Sequence, residues 1–316
     1  MRLYRGQKIS RALIDRQRAQ DHIAIMDRSS WYLPKDSLLS SLLISTFHLS
    51  FLDVDTQKFL DDSTATSNDF CLQAYYALMS TILSFFVSKT SINGILNRGG
   101  MFLFSDTQIR EFLNIPVEWD FKASKLLDLG AGDGEITKKF SSIYGKIYVT
   151  EMSQVMQWRL RQEGFNIVDV ERWSSESRRY DLISALNLLD RHYNPQKLLA
   201  DLHHAALYSN CLVLIGIVLP FKQYVEFHPS KKSSQPDTSL LLRGSSFEEQ
   251  ASSLVELEFI PHGFEVVRWT KLPYLCDGDF NRPFYMLNDA VFLLRAVPIP
   301  TNVTHPTSRI SSHDEF

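Results

Sequence analysis

The stretch LLDLGAGDGE, residues 126–135, sets three glycines at alternate positions directly behind an apolar run. A strand that ends in glycines and opens a helix bares backbone N–H groups, and its missing side chains let a ligand approach closely. The spacing Gly130-x-Gly132-x-Gly134 differs from the GxGxxG of dinucleotide enzymes. Asp128 stands two residues before the first glycine and Asp133 lies inside the turn. Two carboxylates beside the N–H groups would repel a pyrophosphate.

The chain around this turn limits the fold further. From residue 125 short apolar runs alternate with helical stretches, the pattern of an α/β sheet with crossover helices. Strands are expected at 125–130, 146–151, 166–170, 180–186 and 211–220, with helices in GEITKKFSS, SQVMQWRLRQEG and NPQKLLADLHHAALYSN. Ser153 is the expected cap of the second helix and Gly164 its stop. Beyond residue 220 an exposed loop, HPSKKSSQPDTS, and a helix over SSFEEQASSLVELEFIPHG precede two last strands, GFEVVRWTKLPYL and YMLNDAVFLLRAV. With little chain between them, these two are expected to pair antiparallel at a sheet edge. Seven strands ending in such a pair indicate an α/β fold of the class I S-adenosylmethionine-dependent methyltransferase type, a Rossmann-like seven-stranded sheet.

Ahead of the sheet an N-terminal helical segment is expected. It comprises a packed helix over 37–52, an apolar helix docked on the domain over 72–90, and a helix capped by Ser105 with Asp106 in its first turn. The expected divisions are a basic segment at 1–35, the helical segment at 36–120, the sheet domain at 121–298 and a disordered tail at 299–316 carrying the sequon Asn302-Val303-Thr304. The Arg-rich start reads either as a solvated basic helix or as a mitochondrial presequence. The run 37–52 is interrupted by Ser and His48 and is shorter than a bilayer span of roughly 20 apolar residues, so no transmembrane segment is expected.

Glu151 ends the second expected strand, 23 residues after Asp128. An acid there accepts hydrogen bonds from both ribose hydroxyls of a nucleoside. S-adenosylmethionine is a nucleoside with a cationic sulfonium and no pyrophosphate, and it suits Asp128, Gly130, Gly132 and Glu151 better than NAD. A tight turn without ligand is the plain alternative. The net charge of -3 and pI near 6.3 lack the basic field of nucleic-acid binders, so nucleic acid is not an expected partner. Cys71, Cys211 and Cys276 are too scattered for a disulfide framework or a CxxC metal site. His203 and His204 lie mid-helix without a Cys/His set at ligand spacing, and no metal is expected. The role of His192 stays open.

The fourth strand exits into Asn187-Leu188-Leu189-Asp190-Arg191. Side-chain oxygens at this place hold an N–H and aim a nitrogen lone pair at the methyl group, or else Asn187 only caps the turn and Asp190 only pairs with Arg191 in solvent. A second polar cluster, LPYLCDGDFNRPFY, holds Tyr274, Cys276, Asp277, Asp279 and Tyr285 and is either a lid over the carboxyl edge or a hairpin with core aromatics.

LLDLGAGDGE, YDLISALNLLDR, VLPF with YVE, and LPYLCDGD with LNDAVF resemble the DREV-type methyltransferase-like proteins, which are protein histidine N-pros-methyltransferases. DTQKFL and KTSINGILNRGGMF extend the resemblance over about residues 50–297. It implies methyl transfer from S-adenosylmethionine to the pros nitrogen of histidine in His-x-His sequences of proteins or peptides, x being small. It also implies that Glu151, Asn187 and Tyr274 contact the cofactor and that Asn187, Asp190, Arg191 and Tyr285 line the acceptor pocket. Family location implies the endoplasmic reticulum or mitochondrion, with the cytoplasm otherwise. A small-molecule N- or O-methyltransferase and a non-catalytic cofactor-binding adaptor are the competing readings. An enclosed acceptor cavity would support the first of these, whereas an open polar groove fits a protein substrate.

Overall fold

The computed structural model describes residues 14, 16–18, 21, 23, 25–85, 89–175, 177–225, 227–230 and 235–299. The start of the expected basic segment, part of the expected exposed loop and the tail with its sequon lie outside the described residues.

Two 3-10 turns, Arg28–Trp31 and Asp36–Leu38, lead into helix α1 (Ser41–Thr46). Trp31 and Tyr32, inside the segment set apart as 1–35, are each only 2% exposed and belong to the core. The single helix expected over 37–52 is not formed. After Thr46 the chain extends, Phe47 bridges Trp269, and the His48 N–H donates to the Trp269 carbonyl at 2.8 Å. Trp269 in turn donates its indole N–H to the Leu43 carbonyl at 2.6 Å, so pairing with the sheet overrides helical propensity.

Helix α2 (Val54–Asn68), capped by Asp53, buries Thr56, Leu60, Ser63 and Ser67 on one face. Helix α3 (Phe70–Leu83), capped by Asp69, was expected to dock through its apolar residues, yet Gln73 is its buried side chain while Phe70, Tyr75, Leu78 and Ile82 are exposed. The surface to be covered explains the exchange. The hairpin loop beneath presents carbonyl oxygens, and α2 satisfies them with hydroxyls: Ser63 donates to Pro283 O at 2.7 Å and Ser67 to Asp279 O at 2.6 Å. Polar α2 therefore takes the inner place and apolar α3 the outer one.

Helix α4 (Lys89–Leu96) is followed by strand β1 (Met101–Phe102), an element the sequence reading places in an all-helical segment. Helix α5 (Asp106–Leu113) starts at the expected Ser105, which forms a capping box with Gln108. Then come β2 (Lys125–Leu129), α6 (Glu135–Lys138), β3 (Lys146–Thr150), α7 (Gln154–Gln162), β4 (Asn166–Ile167) and β5 (Leu182–Leu186). They lead to α8 (Pro195–Ser209), β6 (Leu212–Val218), α9 (Phe247–Leu254) with a π-helical extension, β7 (Phe264–Asp277) and β8 (Phe284–Ala296). Ser153 caps α7 as expected. Helix α8 begins with Asn194 as cap and Pro195 at its first position, and it ends at Asn210 in the left-handed conformation.

Among the described residues the sheet has eight strands in the order β1-β7-β8-β6-β5-β2-β3-β4, one more than expected. Strands β2 to β6 are parallel, and β8 runs antiparallel between β6 and β7. The last two strands pair antiparallel as expected, but β1 covers the outer side of β7 through Met101 opposite Cys276 and Phe102 opposite Leu275. Because β8 reverses between them, β6 and β7 point the same way. The far end of β7 thus reaches the carboxyl edge where the glycine turn lies.

Successive strand residues point to opposite faces. Leu127, Ile183, Ile215 and Trp269 fill one core layer. Leu126, Leu182, Leu214 and Val291 fill the other with Phe104, Phe140 and the N-terminal Trp31. Lys271 spans the junction with the N-terminal segment, donating to Ser30 O at 3.1 Å and Leu33 O at 3.0 Å.

The exchange of α2 and α3 is measurable by urea unfolding. Leu60→Ala, at a site 1% exposed, is expected to cost about 2–5 kcal/mol, whereas Leu78→Lys, at a site 60% exposed, changes stability by no more than about 0.5 kcal/mol. A large loss at Leu78 would mean that α3, and not α2, is the docked helix.

Candidate functional site

Backbone shape comes first in the glycine turn. Gly130, Gly132 and Gly134 have φ of 71°, 57° and 85°, the left-handed region in which a side chain is strained. A Cβ on Gly130 would lie 2.9 Å from Leu188 Cδ1 and one on Gly134 2.8 Å from Leu160 Cδ2, so these two are closed to larger residues by neighbours as well. Gly132 differs, since a Cβ there would meet nothing nearer than Met101 Cε at 3.8 Å. Its missing side chain leaves open room between the turn and β1.

The row of bared N–H groups expected from the sequence is engaged inside the protein. Gly130 donates to Thr150 O at 3.0 Å and to Thr150 Oγ1 at 3.1 Å, and Ala131 donates to Thr150 O at 3.1 Å. Gly132 donates to Glu151 Oε2 at 3.1 Å, while Ser153 donates to Glu151 Oε1 at 2.7 Å. The turn curls onto the end of β3, which supplies acceptors that a sequence pattern does not reveal. Glu151 thereby ties the glycine turn to the start of α7, at the position where a nucleoside ribose is expected.

The two acids of the turn face inward. Asp128, 3% exposed, accepts from Thr137 Oγ1 at 2.6 Å and Ser184 Oγ at 2.7 Å, joining α6 to β5. Burial pushes its carboxyl up to about 6 despite both hydrogen bonds. Asp133 accepts from the Glu135 N–H at 3.1 Å and is likewise raised by burial. Both acids therefore shape the turn, and the repulsion of a pyrophosphate expected from the sequence is weakened by their inward direction.

On the acceptor side, Asn187 leaves β5 in the left-handed conformation at φ 54° and donates from Nδ2 to Asp289 Oδ2 at 2.8 Å. Its Oδ1 is buried without a hydrogen-bond partner, as are Asp190 Oδ1 and Asp289 Oδ1. Asp190 is 4% exposed, and its other oxygen accepts from Arg191 Nε at 3.1 Å. Burial raises its carboxyl above the ordinary range, with Arg191 opposing. The reading of Asp190 as a solvent-exposed partner of Arg191 fails, because the pair is half buried, with side-chain exposures of 6% for Asp190 and 46% for Arg191.

Asp289, on β8, is fully buried and its carboxyl is pushed up to about 8, burial being the main cause. The sequence reading passed over it because an Asp within a central strand carries no motif; its contradiction of the apolar run YMLNDAVFLL was the available signal. Met101 was missed as well. The Tyr274 hydroxyl donates to its sulfur at 2.6 Å, which sets Tyr274 beside the open room at Gly132.

Tyr285 lies on the rim, 38% exposed, with its hydroxyl donating to Asp279 Oδ2 at 3.0 Å. Tyr274 and Tyr285 are strand residues, and the loop proper is 278–283. It stands over the carboxyl edge and is held by the N-terminal segment: Gly278 N–H donates to Ser63 Oγ at 2.9 Å, and Arg16 stacks on Phe280. Tyr224, also missed, packs on the Asp190–Arg191 turn. Its N–H donates to Asp190 O at 2.8 Å and its ring lies under the Arg191 guanidinium at 5.5 Å.

His192 stacks on Tyr193 and bonds the Asn194 backbone, so it serves the turn. His203 bonds Val297 O at 2.8 Å. Among the described residues no group of three His, Cys, Asp or Glu side chains is placed to hold a metal ion, and no helix is long and apolar enough to cross a membrane. S-adenosylmethionine fits this set: open backbone at Gly132, a carboxylate at Glu151, and an orphaned acceptor, Asn187 Oδ1, for an N–H donor.

The model of the DREV methyltransferase family matches residues 31–296. Among solved structures, the chain is similar to magnesium protoporphyrin IX methyltransferase from Synechocystis PCC 6803 with bound S-adenosylmethionine, at 11% identity over 79% of this chain and 100% of that one, TM-score 0.37. It is also similar to a TehB-like S-adenosylmethionine-dependent methyltransferase from Corynebacterium glutamicum, at 15% identity over 71% of this chain and 98% of that one, TM-score 0.38.

Asp128 has a pH signature. Its carboxyl is raised on folding, so its contribution to stability is complete below pH 3.8 and is lost as pH climbs to about 6. Asp128→Asn has no proton to lose. Its stability relative to the unmodified protein is expected to rise by up to about 3 kcal/mol between pH 4 and 6.5 and then level off, read from urea unfolding. A difference independent of pH would show that Asp128 ionises normally.

Proposed function

The chain belongs to the DREV methyltransferase family, and we propose that the acceptor of its methyl group is the pros nitrogen of histidine in a His-x-His sequence of a protein or peptide. Its cofactor is S-adenosylmethionine, which supplies an electrophilic methyl group on a sulfonium.

The observation that carries this reading is Asp190 Oδ1, a buried carboxylate oxygen with no partner among the described residues, next to Arg191, whose guanidinium lies over Tyr224. An imidazole in water is largely neutral at physiological pH and carries its proton on either ring nitrogen. A carboxylate accepting the tele N–H leaves the pros lone pair free and selects the nucleophilic nitrogen. Methylation leaves a cationic ring, and the tele proton passes to Asp190 Oδ1 and then to solvent. Arg191, on the other oxygen of Asp190, opposes the effect of burial and favours the ionised form at rest. Asn187 Oδ1 supplies a second acceptor that fixes the reacting groups, so orientation contributes much of the rate.

The exposed rim favours a chain-like substrate over a small molecule. Arg191 is 46% exposed at its side chain, Tyr224 is 56% exposed and Tyr285 38%. Exposed polar and aromatic groups of this kind suit a peptide backbone and a second imidazole. Glu151 and Tyr274 are assigned to the cofactor with Gly130 and Gly132, Asp128 supporting the turn from below.

The decisive experiment incubates the protein with S-adenosylmethionine and a peptide with a His-Ala-His core, followed by mass spectrometry and amino-acid analysis. One added methyl as pros-methylhistidine is expected; tele-methylhistidine, or no transfer despite bound cofactor, refutes the assignment. Asp190→Ala is expected to lower kcat by about 10²–10⁴-fold with cofactor affinity held within about threefold. Because burial raises the Asp190 carboxyl, turnover is expected to fall on acidification at a pH above the ordinary carboxylate range, and that limb is absent in the residual activity of Asp190→Ala.

A further inference from the structure

Three buried oxygens around the exit of β5 have no hydrogen-bond partner among the described residues: Asn187 Oδ1, Asp190 Oδ1 and Asp289 Oδ1. Each such atom costs about 1–3 kcal/mol, and folded proteins contain few of them. Asp289 is the costliest of the set, since it sits at 0% exposure in a strand whose neighbours Ala290, Val291 and Phe292 are core residues. A leucine there would remove the desolvated carboxyl, leaving Asn187 Nδ2 as the group that loses its acceptor. The sheet nevertheless makes room for the carboxyl: Gly216 lies alongside on β6, where a Cβ would come 3.4 Å from Asp289 Oδ2 and 3.1 Å from Leu186 Cδ2.

What the carboxyl does is visible in its one side-chain contact, the hydrogen from Asn187 Nδ2 to Oδ2 at 2.8 Å. An amide is nearly symmetric in shape, and its two ends differ only in whether they donate or accept. An acceptor that cannot donate through the same atom fixes which end is which.

We infer that Asp289 is a positioning residue: by taking the Asn187 Nδ2 hydrogen it fixes the amide so that Asn187 offers an oxygen, and not an N–H, to the reacting groups. The inference rests on the proposed function only in placing Asn187 at the transfer site. The opposite orientation would point a donor at the acceptor nitrogen and compete for its lone pair. The groups around Asp289 agree with this role. Asn187 and Asp190 face it from the exit of β5, the Ile217 and Ala290 backbone groups from β6 and β8, and Tyr274 lies within electrostatic reach on β7. None of these is a basic side chain; burial favours the neutral carboxyl, and Oδ2 takes the Asn187 hydrogen as its unprotonated oxygen.

The test is a double-mutant cycle with Asp289→Leu, Asp289→Asn, Asn187→Ala and the double variant Asp289→Leu/Asn187→Ala, each measured for thermal midpoint and for kcat and KM on the His-Ala-His peptide. Side-chain amide NMR of Asn187, assigned by its loss in Asn187→Ala, is recorded on the same proteins. Asp289→Leu is expected to raise the thermal midpoint, lower kcat by about 30-fold or more and speed hydrogen exchange of the Asn187 amide. Asp289→Asn, whose amide oxygen accepts the same hydrogen, is expected to recover kcat to within about fivefold of the parent. The double variant is expected to be no slower than Asn187→Ala alone, because both changes act through one amide.

Unchanged turnover in Asp289→Leu, or losses that multiply in the double variant, overturn the inference. If Asp289→Leu does not fold, Asp289→Asn decides: an unprotected Asn187 amide or a large loss of kcat overturns it, and a protected amide with recovered kcat upholds it. If the parent binds cofactor but does not methylate the peptide, the histidine assignment fails separately. The exchange of the Asn187 amide in Asp289→Leu then decides alone, faster exchange upholding the role of Asp289 and unaltered exchange refuting it.

Discussion

The reversal of β8 between β6 and β7 is the constraint on which the site depends. Were β8 parallel to β6, its hairpin partner β7 would end at the opposite side of the sheet, and Tyr274 would lie far from the glycine turn. With β8 inserted, three unrelated stretches meet at one edge: the turn after β2, the exit of β5 and the hairpin loop at 278–283. The same insertion passes Asp289 beneath Asn187. A strand that looks like core in sequence thus contributes a polar floor to the site.

Buried carboxyls characterise this edge, with Arg159 and Lys138 opposing the shift at Asp133. Asp128, Asp133, Asp190 and Asp289 are all raised by burial, and Arg191 is the basic group that opposes the shift at Asp190. Desolvation of this kind pushes a carboxyl toward its neutral form, so these groups act chiefly through hydrogen bonds, and a carboxyl with a raised pKa is suited to taking up a proton. The acidic character read from the glycine stretch survives, although its location differs: the turn's own acids are structural, and those near the acceptor come from β5 and β8.

Much of the architecture was legible because its signals are local. The alternation of apolar runs from residue 125, the caps at Ser105 and Ser153 and the antiparallel final pair each depend on neighbours in sequence. What was not legible depends on distant partners. The docking of α2 in place of α3 follows from carbonyls on a loop more than 200 residues away, and the two-residue β1 exists only because β7 offers it an edge. Gly130, Gly132, Glu151, Asn187, Asp190 and Tyr274 follow or end β2, β3, β5 and β7 at the carboxyl edge of the sheet. Met101, Tyr224 and Asp289 belong to no pattern, and their part in the site emerges only from packing against those residues.

The clasp between the N-terminal segment and the hairpin loop also has a consequence for biosynthesis. Ser63, Ser67 and Arg16 leave the ribosome early, yet their partners Asp279, Phe280 and Pro283 are made more than 200 residues later. Until then α2 has no loop to cap, and the central strands lack the neighbour that separates β6 from β7. The clasp between α2 and this loop therefore cannot close until the hairpin has been made.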